Sequence, residues 1–183
     1  MSELRTNRIV PRDGLTSGTG VGGGIVQVKN LEFETIFSSS HSGIQLVDVT
    51  GFNLNITPTR SDSKILVTVQ VAGGLNDNVG YNFKFDVVRT PSGGSSTTIG
   101  VPSAGTHAMT GGYNLYDSNS SVPYIFGMGK TFFDSPATTS SVNYKVRVGH
   151  SHSSSGAVVY VNRRGSSSDW RSISTLTLME VSG

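Results

Sequence analysis

The stretch Lys64-Ile65-Leu66-Val67-Thr68-Val69-Gln70-Val71 decides the fold. Ile65, Val67, Val69 and Val71 fall on one side of an extended chain, and Leu66, Thr68 and Gln70 fall on the other, the period of two that a β-strand imposes. One face is apolar enough to be buried, and the other is only partly wet. The same alternation recurs at Tyr81, Phe83, Phe85 and Val87, with Asn82, Lys84 and Asp86 between them, and at Tyr144, Val146 and Val148 around Lys145 and Arg147. Val26 and Val28, and Phe52, Leu54 and Ile56 before Pro58, repeat it again. Further strands are predicted at 45–49, 123–126, 130–133, 157–162 and 172–181. Between the strands stand GGLNDN, TPSGGSS, SPATTSS, HSHSSSG and RRGSSSD, all turn chemistry. Short strands punctuated in this way, with no helical period between them, predict an all-β antiparallel sandwich of the jelly-roll kind. The pattern leaves the strand order open.

Composition agrees. Gly, Ser and Thr make up 69 of the 183 residues, whereas Ala, Glu, Lys and Gln supply 17, which excludes a helical bundle or coiled coil. Charged residues are 14% of the chain and the formal net charge is +2 with no Lys/Arg block longer than two, so neither disorder nor nucleic-acid binding through a basic face is expected. The chain has no cysteine, which excludes disulfides and thiolate metal sites. The longest apolar run is five residues, at 157–161, and the first residues lack the apolar core of a signal peptide. The expectation is a protein made in the cytoplasm that inserts in no membrane.

Residues 1–24 are polar and Gly-rich, with Leu4, Ile9 and Val10 as apolar anchors and GTGVGGG as a closing joint. They read as an extended attachment arm before a sandwich domain over 25–183. The segment 94–121 is the least regular, and reads as a long exposed loop or as two weak strands. Long loops on a rigid β scaffold are where binding surfaces sit, which makes Tyr113 and Tyr116 candidate receptor contacts; an excursion that shields a sheet edge is the alternative.

Catalysis finds little support. The chain has no G-x-S-x-G elbow, and Glu32 and Glu34, on one side of a strand, read as a solvated face. Gly18 to Gly23 match G-x-G-x-x-G in form, but a strand follows where a dinucleotide site needs a helix. No catalytic residue and no organic cofactor is therefore assigned. His150 and His152, two apart on an extended chain, project to one side; three chains about a threefold axis would offer six imidazoles, enough for octahedral coordination of a divalent metal such as iron. The simpler reading is a polar turn whose histidines sit in water. His41 and His107 are expected in exposed loops, and Asp77 in a turn. Arg163, Arg164, Trp170 and Arg171 gather cations and the single tryptophan: exposed, Trp170 would stack on a sugar ring with Arg171 beside it, whereas burial of Trp170 at a strand end is the commoner outcome for this residue type.

Three stretches carry a resemblance. The opening MSELRTNRIVPRDG, the block ITPTRSDSKILVTVQVAGG and the closing STLTLMEVSG resemble tail fibres and fibre-like virion proteins of tailed bacteriophages, many of them cyanobacterial phages. The likeness runs through most of the chain from about Gly24. It implies a β-sandwich that assembles as a homotrimer on a virion, joined to other virion proteins of the tail, baseplate or capsid by its N-terminal segment, with an outward surface that meets host glycan. It also supplies the precedent for H-x-H pairs on a trimer axis. Two other classes share the same features, a capsid decoration or cement protein and a carbohydrate-binding module using Trp170, Tyr113 and Tyr116. A depolymerase is disfavoured by the scattered carboxylates.

Overall fold

A computed structural model describes residues 24–40, 44–76, 79–105, 108–116, 125–151, 157–165 and 167–182. Leu4, Ile9 and Val10, expected in an attachment arm, lie outside them, as do His41, Asp77, His107 and His152. Among the described residues every regular element is a strand: β1 (Ile25–Phe33), β2 (Phe37–Ser40), β3 (Leu46–Ile56), β4 (Lys64–Leu75), β5 (Val79–Pro91), β6 (Thr97–Ile99), β7 (Gly111–Tyr116), β8 (Phe126–Asp134), β9 (Val142–His150), β10 (Val158–Val161), β11 (Arg163–Arg164), β12 (Ser167–Arg171) and β13 (Ser174–Val181).

Two antiparallel sheets enclose one core. The first runs β1-β13-β4-β8, with β10 and β2 continuing beside the last residues of β4; the second runs β3-β9-β5, with β6 and β7 both on the far side of β5. Taking β1, β3, β4, β5, β7, β8, β9 and β13 as eight successive strands, the sheets read 1-8-3-6 and 2-7-4-5. That order is the jelly roll, in which paired strands wrap as a ribbon so that first and last lie side by side.

The predicted alternation is the burial that the sandwich shows. Ile65, Val67, Val69 and Val71 of β4, Phe83, Phe85 and Val87 of β5, Tyr144, Val146 and Val148 of β9 and Leu176 and Leu178 of β13 all face inward with essentially no exposure. Each such side chain contributes about 1.5–3 kcal/mol of burial. The expected segments 45–49 and 52–56 join into the single strand β3. Its alternation breaks at a bulge between Asp48 and Asn53, where Gly51 takes φ of 84°, so that Val49 and Phe52 both point inward and Phe52 stacks on Phe33 at 4.8 Å.

Segment 94–121 contains β6 and β7 rather than one long loop, and side chains pin it to the outer face of the second sheet. Thr110 N–H donates to Asp86 at 3.0 Å, its hydroxyl donates to the Ile99 carbonyl at 2.8 Å, and Arg147 donates to Thr98 at 3.0 Å. The strand β2 and the hairpin β11–β12 have no counterpart in the alternation pattern, because both are too short to show a period.

Candidate functional site

The strand β1 connects the two ends of the sandwich. Nine residues span roughly 30 Å, from Ile25 to Phe33. At the first end Gly24, where residues 1–23 join the body, accepts a hydrogen bond from Ser182 N–H at 3.3 Å. This end is tied by buried carboxylates. Glu180 is fully buried and accepts from Gln27 at 2.6 Å and from both the N–H and the hydroxyl of Thr59 at 2.7 Å. Burial pushes its carboxyl pKa up, but these hydrogen bonds to the charged form outweigh burial and hold it at about 2. Asp134, from β8, bridges the sheets, accepting from Tyr144 Oη and from Arg89 Nη1, each at 2.7 Å. The Tyr144 phenol pKa is raised by burial and by the neighbouring Asp134 charge, so it stays a neutral donor.

At the opposite end β1 runs out into Glu34, and the β11–β12 hairpin folds beside it. Asn162 sets that hairpin. It holds φ of 60°, a left-handed value that Asn tolerates better than other side chains, and its amide donates to the carbonyls of Phe33 and, at 3.1 Å, Thr35 while its Oδ1 accepts from Ser174 Oγ at 2.6 Å. One buried side chain thus joins the end of β1, the start of β13 and the hairpin. The signal was an Asn between the apolar VYV and the Arg pair, a position otherwise read as strand continuation.

The hairpin turns its chemistry outward. Trp170 is 63% exposed, which corrects the expected burial at a strand end: β12 belongs to a two-stranded ribbon with no sheet packed over it. The Arg164 guanidinium lies 5.8 Å from the Trp170 ring centre, and Arg163 lies 4.8 Å from that of Tyr160. Arg171 donates to the Glu34 carbonyl at 3.4 Å, and Glu34, Arg171, Ser172 and Ile173 line an open depression of about 440 Å³. Ile173 and Ile36 add exposed apolar surface at the same end.

The other candidates fall elsewhere. Tyr113 is half-buried, stacked on Phe83 at 5.6 Å and tilted against Phe126 at 4.7 Å, its hydroxyl 3.4 Å from the Gly73 carbonyl; burial raises its pKa. It closes the core between the sheets. Tyr116 ends β7, where its backbone pairs with Val79. His150 is fully buried, which corrects its placement in a polar turn: it is the last residue of β9 and shares the inward parity of Tyr144, Val146 and Val148. A metal on a trimer axis needs imidazoles that neighbouring chains can reach, and this one is inside. Among the described residues no three His, Asp or Glu side chains gather as a metal site.

No protein-family description matches this chain, and no curated protein matches it in sequence. Solved structures match in shape. Infectious bursal disease virus of the Gt strain aligns at a TM-score of 0.43 and 13% identity over 87% of this chain and 39% of that chain. T=1 particles derived from infectious bursal virus align at 0.43 and 11% over 94% and 41%, and the VP2 subviral particle of infectious bursal disease virus at 0.41 and 12% over 87% and 39%. The chain spans about two fifths of the length of these proteins, and likeness this distant carries nothing about what the chain does. Its own strand order places it in the class of jelly-roll sandwiches, with Gly24 and Ile25 at one end and an exposed arginine–tryptophan surface at the other.

Proposed function

We propose that the chain is a structural subunit of a virus particle and, more narrowly, a trimeric tail fibre or fibre tip of a tailed bacteriophage. It attaches through residues 1–24 and binds host surface glycan; it is not an enzyme. One observation carries this reading: β1 starts at Ile25, directly after residues 1–24, and ends at Phe33, one residue before Glu34, whose carbonyl accepts from the exposed Arg171, so the proposed attachment and contact surfaces lie at opposite ends of one sandwich. A fibre subunit needs that polarity. The jelly-roll order and the resemblance of the opening, central and closing stretches to phage fibre proteins support it.

The contact chemistry follows from the residues. An exposed indole with the Arg164 guanidinium over it offers a flat apolar face and a cation to a sugar ring, while the depression lined by Glu34, Arg171 and Ser172 at the same end supplies donors and acceptors for hydroxyl or acidic groups. A native mass spectrum of the full-length protein tests the assembly: a species of three times 19.3 kDa is expected. A metal-free trimer is expected, since His150 lies inside the sandwich; loss of one metal per trimer on chelation would overturn that and return His150 and His152 as candidate ligands. Replacing Leu4, Ile9 and Val10 together by Asp is expected to leave a folded protein that no longer joins particles. Immunogold labelling on the head instead of the tail would select a capsid decoration protein, and glycan binding by a monomer would select a free-standing binding module.

A further inference from the structure

The ribbon β11–β12 sets two arginines opposite each other. Arg163 and Arg171 are cross-strand partners, and a bulge between Arg163 and Arg164 takes the next residue out of that register. Residues opposed in an antiparallel pair point to one side with Cβ atoms roughly 5 Å apart, and like charges so placed repel. Among the described residues nothing negative offsets them. Arg163 donates from Nε to the Arg164 carbonyl at 3.3 Å and lies over the Tyr160 ring at 4.8 Å, while Arg171 donates from Nη2 to the Glu34 carbonyl at 3.4 Å, so every partner is neutral. The ion pairs among the described residues join Arg60 to Asp62, Arg89 to Asp134, Lys145 to Asp48 and Arg147 to Asp86, and none of them lies on this ribbon. A guanidinium has five N–H donors, and each of these two gives one to a carbonyl. Neutral contacts thus orient both groups and leave their charge unused.

We infer that Arg163 and Arg171 are the anion-recognising part of this end, and that its ligand is an acidic glycan, one bearing carboxylate or phosphate groups. The inference rests on the proposal that this end contacts glycan, and narrows that ligand to a chemical class. One carboxylate or phosphate held between the two guanidiniums accepts from both and removes the repulsion that the ribbon otherwise carries. The depression lined by Glu34, Arg171, Ser172 and Ile173 opens beside Arg171, with Ile173 50% exposed to take the apolar face of a sugar ring. Glu34 is exposed and gives Arg171 its backbone carbonyl, not its carboxylate. That carboxylate opposes an acidic ligand, so the site contains one residue whose removal acts with the opposite sign.

Titration of the full-length protein with three probes tests this: an oligouronide, the same oligosaccharide with its carboxyl groups reduced to alcohols, and a phosphorylated oligosaccharide. An acidic probe is expected to bind about tenfold or more tighter than the reduced one, with an affinity that falls as salt rises, and the tighter of the two acidic probes names the group. Arg163→Gln and Arg171→Gln are each expected to weaken acidic binding about tenfold and to flatten its salt dependence, Arg171→Lys to weaken it less, and Glu34→Gln to strengthen it about twofold to threefold. Since Arg163→Gln also removes the like-charge pair, amide exchange in its hairpin should be as slow as in the wild type or slower, which separates lost recognition from lost folding. Equal or preferred binding of neutral glycan, or acidic binding that ignores both arginine substitutions, would overturn this inference and keep the glycan site where Trp170→Ala abolishes it. Binding that survives Trp170→Ala and both arginine substitutions, or no binding of any probe or arrayed glycan, would overturn the glycan reading of this end and this inference with it.

Discussion

The two ends of the sandwich solve opposite problems. Where β1 begins, buried polar side chains crosslink the strands: Glu180 takes hydrogen bonds from Gln27 and Thr59, and Asp134 takes one from Arg89 and one from Tyr144 across the sheets. At the far end a single buried Asn162 holds a ribbon whose aromatic and cationic side chains stay in solvent. The difference teaches where rigidity is needed. In the proposed fibre, the end that takes load from residues 1–24 gains from crosslinks between sheets, whereas the end proposed to meet a varied surface gains from a ribbon hung on a few anchors.

Four measurements break or sharpen that contrast. Asp134→Ala leaves the buried Tyr144 hydroxyl without its acceptor and the Arg89 guanidinium with the Ser135 carbonyl but no carboxylate, and is expected to cost about 3 kcal/mol or more in urea unfolding. A loss below that of Asn162→Ala would reverse the assignment of the stiffer end. Acid titration comes next. Glu180 has its pKa lowered from 4.5 to about 2 in the folded protein, so its contribution is complete above the unfolded value and is lost as pH falls from about 4.5 towards 2. The expected loss is about 3 kcal/mol over that window, and Glu180→Gln should flatten the profile there.

Asn162→Ala removes the left-handed preference and three hydrogen bonds, with an expected cost of about 2 kcal/mol. Its signature is faster amide exchange in the hairpin and in 34–36 than in β4, and uniform exchange would break the anchor assignment. Trp170→Ala has the smallest effect on stability, within about 0.5 kcal/mol, yet it is expected to abolish glycan binding measured on whole cells or arrays. Retained binding would move the contact surface away from the hairpin.

The long alternating strands β4, β5 and β9 were legible because each buries one complete face, and a period of two over seven or more residues has no other stable use. β3 was legible only in halves, since the Gly51 bulge resets the parity that joins Val49 to Phe52. Trp170 and His150 exchanged the environments expected of them, and for one reason: exposure at a strand end depends on whether another sheet lies over it. The hairpin carrying Trp170 is a two-stranded ribbon outside both sheets, while β9 ends with His150 turned inward between them, so Gly/Ser-rich flanks, the same in both places, misled.

The residues along the chain determined an all-β, cysteine-free sandwich with its core on the even or odd positions of each strand, because side-chain alternation and turn chemistry are local. Tertiary structure alone decided the jelly-roll order, the pairing of Glu180 with Thr59 and of Asp134 with Tyr144, and the gathering of Glu34 with Arg171 and Ile173. Those relations join positions from 10 to 137 residues apart, and only the closing of two sheets around one core brings such positions together.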